Sequence, residues 1–176
     1  MAFRQFYSRG AIVAVLGIFI VAAIPAVRSA EKRVSPGLAT RLVGTWRLVE
    51  DIDTDASGKI TYPLGEHPVG YFVYDPTGHL SVQIMRIPAT APFASGKDDA
   101  GTNEEVRSAY EGYLAYFGTY RVDEKNSVVI HVVEGSLRPS YTGTEQPRPF
   151  KLDGDTLVIE SHNLHGHFYR ELHRVK

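Results

Sequence analysis

The chain contains no cysteine among its 176 residues, which excludes disulfide bonds and a lipid-modified cysteine. Its folded state must therefore depend on a hydrophobic core, and a domain of about 150 residues is large enough to form one. The chain contains only two methionines and one tryptophan, which is Trp46. A unique aromatic residue at the start of a strand usually has a structural or a binding role.

An excess of basic charge is also missing, because 19 lysines and arginines face 20 aspartates and glutamates. Residues 1–29 hold three of the arginines and no acidic residue, so the remainder carries 16 minus 20, or −4. Nucleic acids and anionic membranes bind basic patches, and we expect neither as a partner. No phosphate loop, dinucleotide-binding glycine pattern or nucleophile elbow is present, so no cofactor is expected.

A long apolar run occurs at the N-terminus, over residues 11–24. Arginines precede it and small residues follow it, which is the order of regions in a secretory signal. We expect residues 1–29 to be a signal peptide cleaved after Ser29, and the protein to be exported to the periplasm or secreted. An uncleaved anchor is the alternative, although the run is shorter than the ~20 apolar residues that span a bilayer. No membrane contact is expected beyond this segment.

After a predicted linker at 30–41, residues 42–176 form short segments of alternating apolar and polar residues, separated by Asp, Asn, Gly and Pro. This pattern is typical of antiparallel strands joined by tight turns. Strands are predicted at 44–52, 59–64, 69–74, 80–86, 119–122, 128–134, 147–152, 156–160 and 167–175. Because a sheet of sequential strands has two open edges unless it closes, we predict an all-β domain, a closed up-and-down antiparallel barrel of eight to nine strands.

One segment departs from the strand pattern. Thr102 and Glu105 form a capping box, and apolar residues then recur at helical spacing as far as Phe117. Gly118 is a typical residue for ending a helix, so one helix is predicted between strands at about 103–117. The preceding segment, 87–101, is rich in Pro, Ala, Gly and Asp, and long loops of this kind are often binding loops or lids.

Residues 42–48, LVGTWRL, resemble the Gly-x-Trp opening of lipocalins and of the wider calycin group. Further segments resemble the lipocalin-like domain family of bacterial and fungal proteins, at 62–65, 68–71, 112–120, 134–136 and 143–146. The resemblance covers about 40–175. It implies a lipocalin-like barrel whose closed end holds Trp46 against an arginine of the last strand, with Arg174 favoured and Arg170 as the competing candidate.

The resemblance also implies a small hydrophobic molecule bound inside the barrel. Polar residues on otherwise apolar strands would give such a cavity its few directed hydrogen bonds. We expect the ligand to contact seven residues, which are Tyr71, Gln83, Met85, Tyr113, Tyr120, His131 and Arg148. The sequence leaves open the alternative that each polar residue faces solvent or is a satisfied core group, and it leaves open the oligomeric state.

A second possible function is an isomerase or cyclase for a small hydrophobic carbonyl or polyene substrate, since some calycin-like barrels catalyse such reactions. Its catalytic residues would be His131, because histidine titrates near neutral pH, and Tyr120 on a neighbouring strand. A third is an envelope protein that binds a partner through exposed aromatic residues of the predicted helix.

Histidines cluster in the segment SHNLHGHF, at His162, His165 and His167. His-x-His on a strand places both rings on one face, and neutral imidazoles can share a zinc ion. Asn163 and Gly166 indicate a hairpin turn instead, and we expect no carboxylate or fourth histidine beside the cluster. No metal site is therefore expected.

Overall fold

The computed structural model describes residues 37–163 and 166–176, so the predicted signal peptide lies outside the described residues. The described residues form two helices and nine strands, which are α1 (Leu38–Leu42), β1 (Gly44–Asp55), β2 (Ile60–Thr61), β3 (Val69–Tyr74), β4 (His79–Met85), α2 (Asn103–Glu111), β5 (Tyr113–Asp123), β6 (Val128–Ser136), β7 (Glu145–Asp153), β8 (Thr156–Asn163) and β9 (Gly166–Arg174). Neither of these helices is long and apolar enough to cross a membrane.

Eight of the strands close into one antiparallel barrel. β1 pairs with β3, each later strand pairs with the next one along the chain, and β9 pairs back with β1. The short β2 is an extra strand that pairs with the end of β1. The predicted closed barrel is confirmed, and its closure pairs the backbone groups that an open sheet would leave at its edges.

The inserted helix is shorter than predicted. It begins at the predicted capping box, where the Glu105 amide donates to the Thr102 side chain and the Glu105 carboxylate accepts from the Thr102 amide. It ends at Glu111, and Gly112 follows as its C-terminal cap. The predicted start is therefore confirmed, and the predicted end near residue 117 is wrong.

Residues 113–117 belong to β5, which pairs with β4. A continuous run of apolar residues fits helical and strand spacing equally well, and here the pairing with β4 decides in favour of a strand. Gly118 does not end a helix, because it lies at an irregularity in the pairing of β5 with β6. A β-carbon at Gly118 would lie 2.0 Å from the carbonyl oxygen of Val132, so only glycine allows the two strands to approach so closely.

The second predicted strand, 59–64, is reduced to the two residues of β2. Pro63 has no amide hydrogen to donate to a strand ladder. Directly after it, the Gly65 amide donates to the Tyr62 carbonyl at 3.0 Å and closes a turn. The chain therefore leaves the sheet at this point.

Trp46 closes one end of the barrel and is fully buried. Its indole N–H donates to the Leu42 carbonyl at 2.8 Å. The guanidinium carbon of Arg174 lies 4.1 Å from the centroid of the Trp46 ring, and its Nη1 donates to the Val43 carbonyl at 2.8 Å. Helix α1, which lies where the end of a linker was predicted, contacts β5 and β7 and covers this end of the barrel.

The long connections lie at the opposite end of the barrel. Segment 86–102 and α2 leave β4 after Met85 and return to β5 at Tyr113, and these two residues are paired. Segment 137–144 joins β6 to β7 at the same end, because the end of β6 pairs with the first half of β5. The mouth of the barrel is therefore surrounded by its longest loops.

Arg174→Ala is expected to lower the free energy of unfolding by about 2–3 kcal/mol, because it removes a cation–π contact and two hydrogen bonds to backbone carbonyls. Arg107, whose side chain is 79% exposed and pairs with Glu111, provides the control. Arg107→Ala is expected to change the free energy by about 0.5 kcal/mol or less. Urea denaturation of both variants measures the difference, and equal losses would contradict a closing role for Arg174.

Candidate functional site

The barrel contains a cavity of about 180 Å³. Its walls come from seven of the eight barrel strands and from segment 137–144, and its lining residues are Asp53, Phe72, Val82, Ile84, Leu114, Tyr116, Tyr141, Arg148, Ile159, Phe168 and Arg170. Most of this lining is aliphatic or aromatic, and the polar groups are few. That combination is typical of sites for small molecules.

Strand alternation forms the apolar wall. Val82 and Ile84 are buried on the inner face of β4. In the register of the sheet, Tyr116 lies opposite Val82 and Leu114 lies opposite Ile84. Side chains directly opposite each other on antiparallel strands share one face, so these four side chains form a continuous inner surface.

Two carboxylates enter the interior because β1 is irregular. Its register with β9 shifts between Leu48 and Glu50. Trp46 and Leu48 face inward before this bulge, and Asp51 and Asp53 face inward after it. One extra residue in a strand exchanges the inward and outward positions that follow, so strict alternation from Trp46 does not find these aspartates.

Arg170 lies between the two aspartates. Its Nε is 2.8 Å from Asp51 Oδ1, and its Nη1 is 2.8 Å from Asp53 Oδ1. Neither oxygen is aligned for a hydrogen bond, so the attraction is between charges. Burial raises the pKa of Asp51, the positive charge of Arg170 opposes this rise, and Asp53 adds to it. The group holds two carboxylates and one guanidinium.

Arg148 brings a second positive charge to the cavity wall. Its guanidinium hydrogen-bonds to Gln146 Oε1 at 3.2 Å and to the Pro147 carbonyl at 3.3 Å, and it lies 5.3 Å from the Phe168 ring centroid. Within residues 37–163 and 166–176, no carboxylate lies within ion-pair distance of it. The positive charge of Arg148 on the cavity wall is therefore not neutralised by a carboxylate in this part of the chain.

His131 is fully buried behind the cavity wall and does not line the cavity. The Tyr74 hydroxyl lies 2.9 Å from its Nε2, and the Tyr116 hydroxyl lies 2.9 Å from its Nδ1. Burial, reinforced by the positive charge of Arg148, lowers the pKa of His131 to about 3. The imidazole is therefore neutral, with one nitrogen donating and the other accepting, and its contact holds the Tyr116 side chain in place.

Four residues predicted to contact the ligand lie on the outer face of the barrel. Tyr71 is 47% exposed, and the Tyr113 hydroxyl donates to Gln83 Oε1 at 3.2 Å on the exterior. Met85 shares the face of Gln83. The expectation that these side chains point into the barrel is wrong, because the alternate, more apolar positions of the same strands occupy the interior.

Tyr120 faces the interior but lies towards the closed end. Its hydroxyl donates to the Asp75 carbonyl at 2.9 Å, and its ring packs edge-on against Tyr74 with centroids 5.1 Å apart. Tyr120 and His131 are opposite each other on β5 and β6. Their polar atoms nevertheless bond to different groups, and neither residue lines the cavity.

Two of the clustered histidines lie outside the barrel. His162 and His167 are opposite each other on β8 and β9, with ring centroids 4.0 Å apart. Glu160 Oε1 is 3.1 Å from His167 Nε2. His165 lies outside the described residues.

A closed antiparallel barrel with an internal cavity, and with a tryptophan buried under an arginine at one end, defines a barrel of the lipocalin type. The family model of the lipocalin-like domain matches residues 43–169, and the chain belongs to that family. The family prediction is therefore confirmed. Such a barrel fits the binding of a small molecule.

The chain is also similar to the 4'-hydroxy-3'-methoxypropiophenone carrier protein ppsC of Aspergillus oryzae. The two are 36% identical over 88 residues, which cover 47% of this chain and 78% of that protein. This relative is a carrier of a small molecule by its name.

Stability should depend on pH through His131. Its pKa is about 3 in the folded state and about 6.5 in an unfolded chain. Between these values the unfolded chain binds the extra proton, so acidification lowers the free energy of unfolding by up to about 1.4 kcal/mol per pH unit. His131→Gln lacks this contribution, and its stability should fall less steeply between pH 6.5 and 4.5.

Urea titrations at several pH values measure both slopes. His79→Gln, at an exposed histidine, is the matched control and should keep the slope of the unmodified protein. Parallel curves for the unmodified protein and His131→Gln would contradict a neutral, buried His131.

Proposed function

We propose that this protein is an exported carrier that holds one small aromatic molecule, with at least one oxygen function, inside its barrel. The observation that carries the proposal is the cavity itself, whose apolar and aromatic wall also includes the guanidinium of Arg148 without a carboxylate partner among the described residues. An apolar ring would pack on the wall, and the oxygen would accept hydrogen bonds from Arg148.

The size of the cavity supports a ligand built on a single ring. A cavity of about 150 Å³ in another protein holds benzene, and the cavity here measures about 180 Å³. A benzene ring with short substituents therefore matches the space better than a long polyene or an acyl chain. Tyr141 lies on the connection between β6 and β7 at the mouth, and movement of this segment would admit the ligand.

The relative supports the same chemical class. The compound in its name, 4'-hydroxy-3'-methoxypropiophenone, is a phenyl ketone with hydroxyl and methoxy substituents. Its ketone and phenol oxygens are acceptors of the kind that Arg148 would bind. We propose an oxygenated phenyl compound of this class as the ligand of the present protein.

The binding proposal is tested by calorimetric titration with 4'-hydroxy-3'-methoxypropiophenone as the probe. Leu114→Trp should reduce the affinity at least tenfold, because the larger side chain fills the cavity that Leu114 lines. Phe117→Trp is the matched control. Phe117 is on the same strand but is 57% exposed on the outer face, so binding should be unchanged.

Arg148→Met distinguishes the contribution of the Arg148 hydrogen bonds from that of the cavity volume. This substitution keeps a long apolar side chain and removes the hydrogen-bond donors. It should weaken binding of the oxygenated probe about tenfold or more, and it should leave benzene binding unchanged or stronger, because benzene accepts no hydrogen bond from Arg148 and no longer desolvates a guanidinium. Absence of binding to the unmodified protein, or equal effects of Leu114→Trp and Phe117→Trp, would contradict the interior site.

Export is proposed from the N-terminal sequence, in which arginines, the apolar run 11–24 and small residues follow in the order of a secretory signal. Expression of the full chain in a bacterium, followed by fractionation and mass spectrometry, should give an exported protein that begins at Ala30. A protein that keeps Met1 and remains with the membrane would instead support an uncleaved anchor, and one that keeps Met1 in the cytosol would contradict export.

The isomerase or cyclase alternative receives no support from the contacts of its candidate residues. Both ring nitrogens of His131 are engaged by tyrosine hydroxyls, and the Tyr120 hydroxyl is directed to a backbone carbonyl. A catalytic group must reach the reacting atoms, and neither residue lines the cavity.

A further inference from the structure

A cluster of one carboxylate and two imidazole side chains, which are groups able to ligate metals, lies on the outer face of the β8–β9 hairpin, separate from the internal cavity. Glu160 and His162 are two residues apart on β8, so both point outward from the same face. His167 lies opposite His162 on β9. The buried positions of these strands, such as Ile159 and Leu172, point the other way into the core.

The three potential ligand atoms are close together. Glu160 Oε1 lies 3.1 Å from His167 Nε2 and 3.6 Å from His162 Nε2, and all three ligand atoms lie within 4.8 Å of one another. A tetrahedral zinc ion with bonds of roughly 2.0–2.1 Å needs ligand atoms about 3.3 Å apart. Two of the three separations are thus near the required value before any ion binds.

We propose that Glu160, His162 and His167 bind one divalent transition-metal ion of the zinc type on the outside of the barrel. Imidazole nitrogens and a carboxylate oxygen are ligands that zinc accepts, and three protein ligands leave a coordination position for water. The negative charge of Glu160 favours a cation at this position. The site is independent of the molecule bound inside the barrel.

The side chains have the freedom that the proposal requires. The two imidazole rings are stacked at 12° to each other, and the lone pair of a ring nitrogen lies in the ring plane, so one ring must turn before both nitrogens face one ion. His162 is 73% exposed and has room to turn, whereas His167 is 23% exposed and is held by Glu160.

Lys151 is the cation nearest to this group among the ion pairs of the described residues. Its Nζ lies 3.4 Å from Glu160 Oε2, which is the carboxylate oxygen that faces away from the histidine contacts. This arrangement leaves Oε1 for the metal. The Lys151 side chain is 82% exposed, so it can move away from an incoming cation.

The expectation of no metal site depended on the hairpin-turn residues and, in part, on the absence of a carboxylate beside the histidines. The second premise is wrong, because Glu160 precedes His162 by two residues and shares its face of the strand. Side chains two residues apart on a strand share a face, so extending this rule from His162 to the residue two positions before it identifies Glu160.

The test is calorimetric titration of the full chain, without a histidine tag, with zinc chloride. We expect one ion per chain. His162→Ala and His167→Ala should each reduce the affinity at least tenfold, and Glu160→Gln should also weaken binding because a neutral amide replaces the charged ligand. Zinc should also raise the melting temperature of the unmodified protein, since an ion that binds only the folded state stabilises it.

His173→Ala is the matched control. His173 lies on the same strand face as His167, and its Nε2 is 3.0 Å from Glu171 Oε1, but it is not part of the three-residue group. Its removal should leave zinc affinity unchanged. The melting temperatures of all variants without metal show whether each one is folded.

Binding of cobalt(II) gives a second readout, because a four-coordinate site produces intense visible absorption bands that a hydrated ion lacks. The bands should appear with the unmodified protein and with His173→Ala, and be lost in a folded His162→Ala variant. No zinc uptake by the unmodified protein, or an equal loss of affinity in His173→Ala and His162→Ala, would overturn the proposal.

Discussion

The pairing of the first barrel strand with the last is the interaction on which the rest of the structure depends. Trp46 on β1 lies opposite Arg174 on β9, more than a hundred residues away along the chain. Closing so long a segment costs conformational entropy, and the stacked guanidinium, its hydrogen bonds to backbone carbonyls and the burial of Trp46 together offset that cost. Once the two strands pair, the sheet encloses an interior, and every strand must direct one of its faces towards that interior.

The bulge in β1 divides this interior into two chemically different parts. On the side of Leu48 the inward positions are apolar and fill the closed end, whereas beyond the bulge they are Asp51 and Asp53. The buried carboxylate of Asp51 would be unfavourable without a partner, and Arg170 on the neighbouring strand supplies one to it and to the half-buried Asp53. A single irregularity in one strand therefore separates the filled end of the barrel from the polar wall of the cavity.

The barrel could be predicted from the sequence because the alternation, the turn residues and the Gly-x-Trp opening all indicate the same fold. The helix start was predictable from a local hydrogen-bond motif, but its end was not, because pairing of residues 113–117 with β4 is a tertiary contact. Alternation separates the two faces of β4 without saying which one faces the core. Gln83 has the polar group that a ligand contact needs, but burial of the more apolar face of β4 determines the orientation and leaves Gln83 outside.

In the proposed carrier, Arg148 would limit which molecules the cavity accepts. Water can satisfy its donors, but a hydrocarbon that displaces this water would leave a desolvated guanidinium without compensation. A ligand with an acceptor oxygen would replace the lost hydrogen bonds, so under the proposed function the same residue would favour oxygenated rings over purely apolar ones. The Tyr116 hydroxyl is less accessible to a ligand, because it is already hydrogen-bonded to the neutral His131. The hydrogen bonds of His131 to Tyr74 and Tyr116 thus hold the wall behind the cavity in place, and in the proposed carrier Arg148 would supply the chemical selectivity.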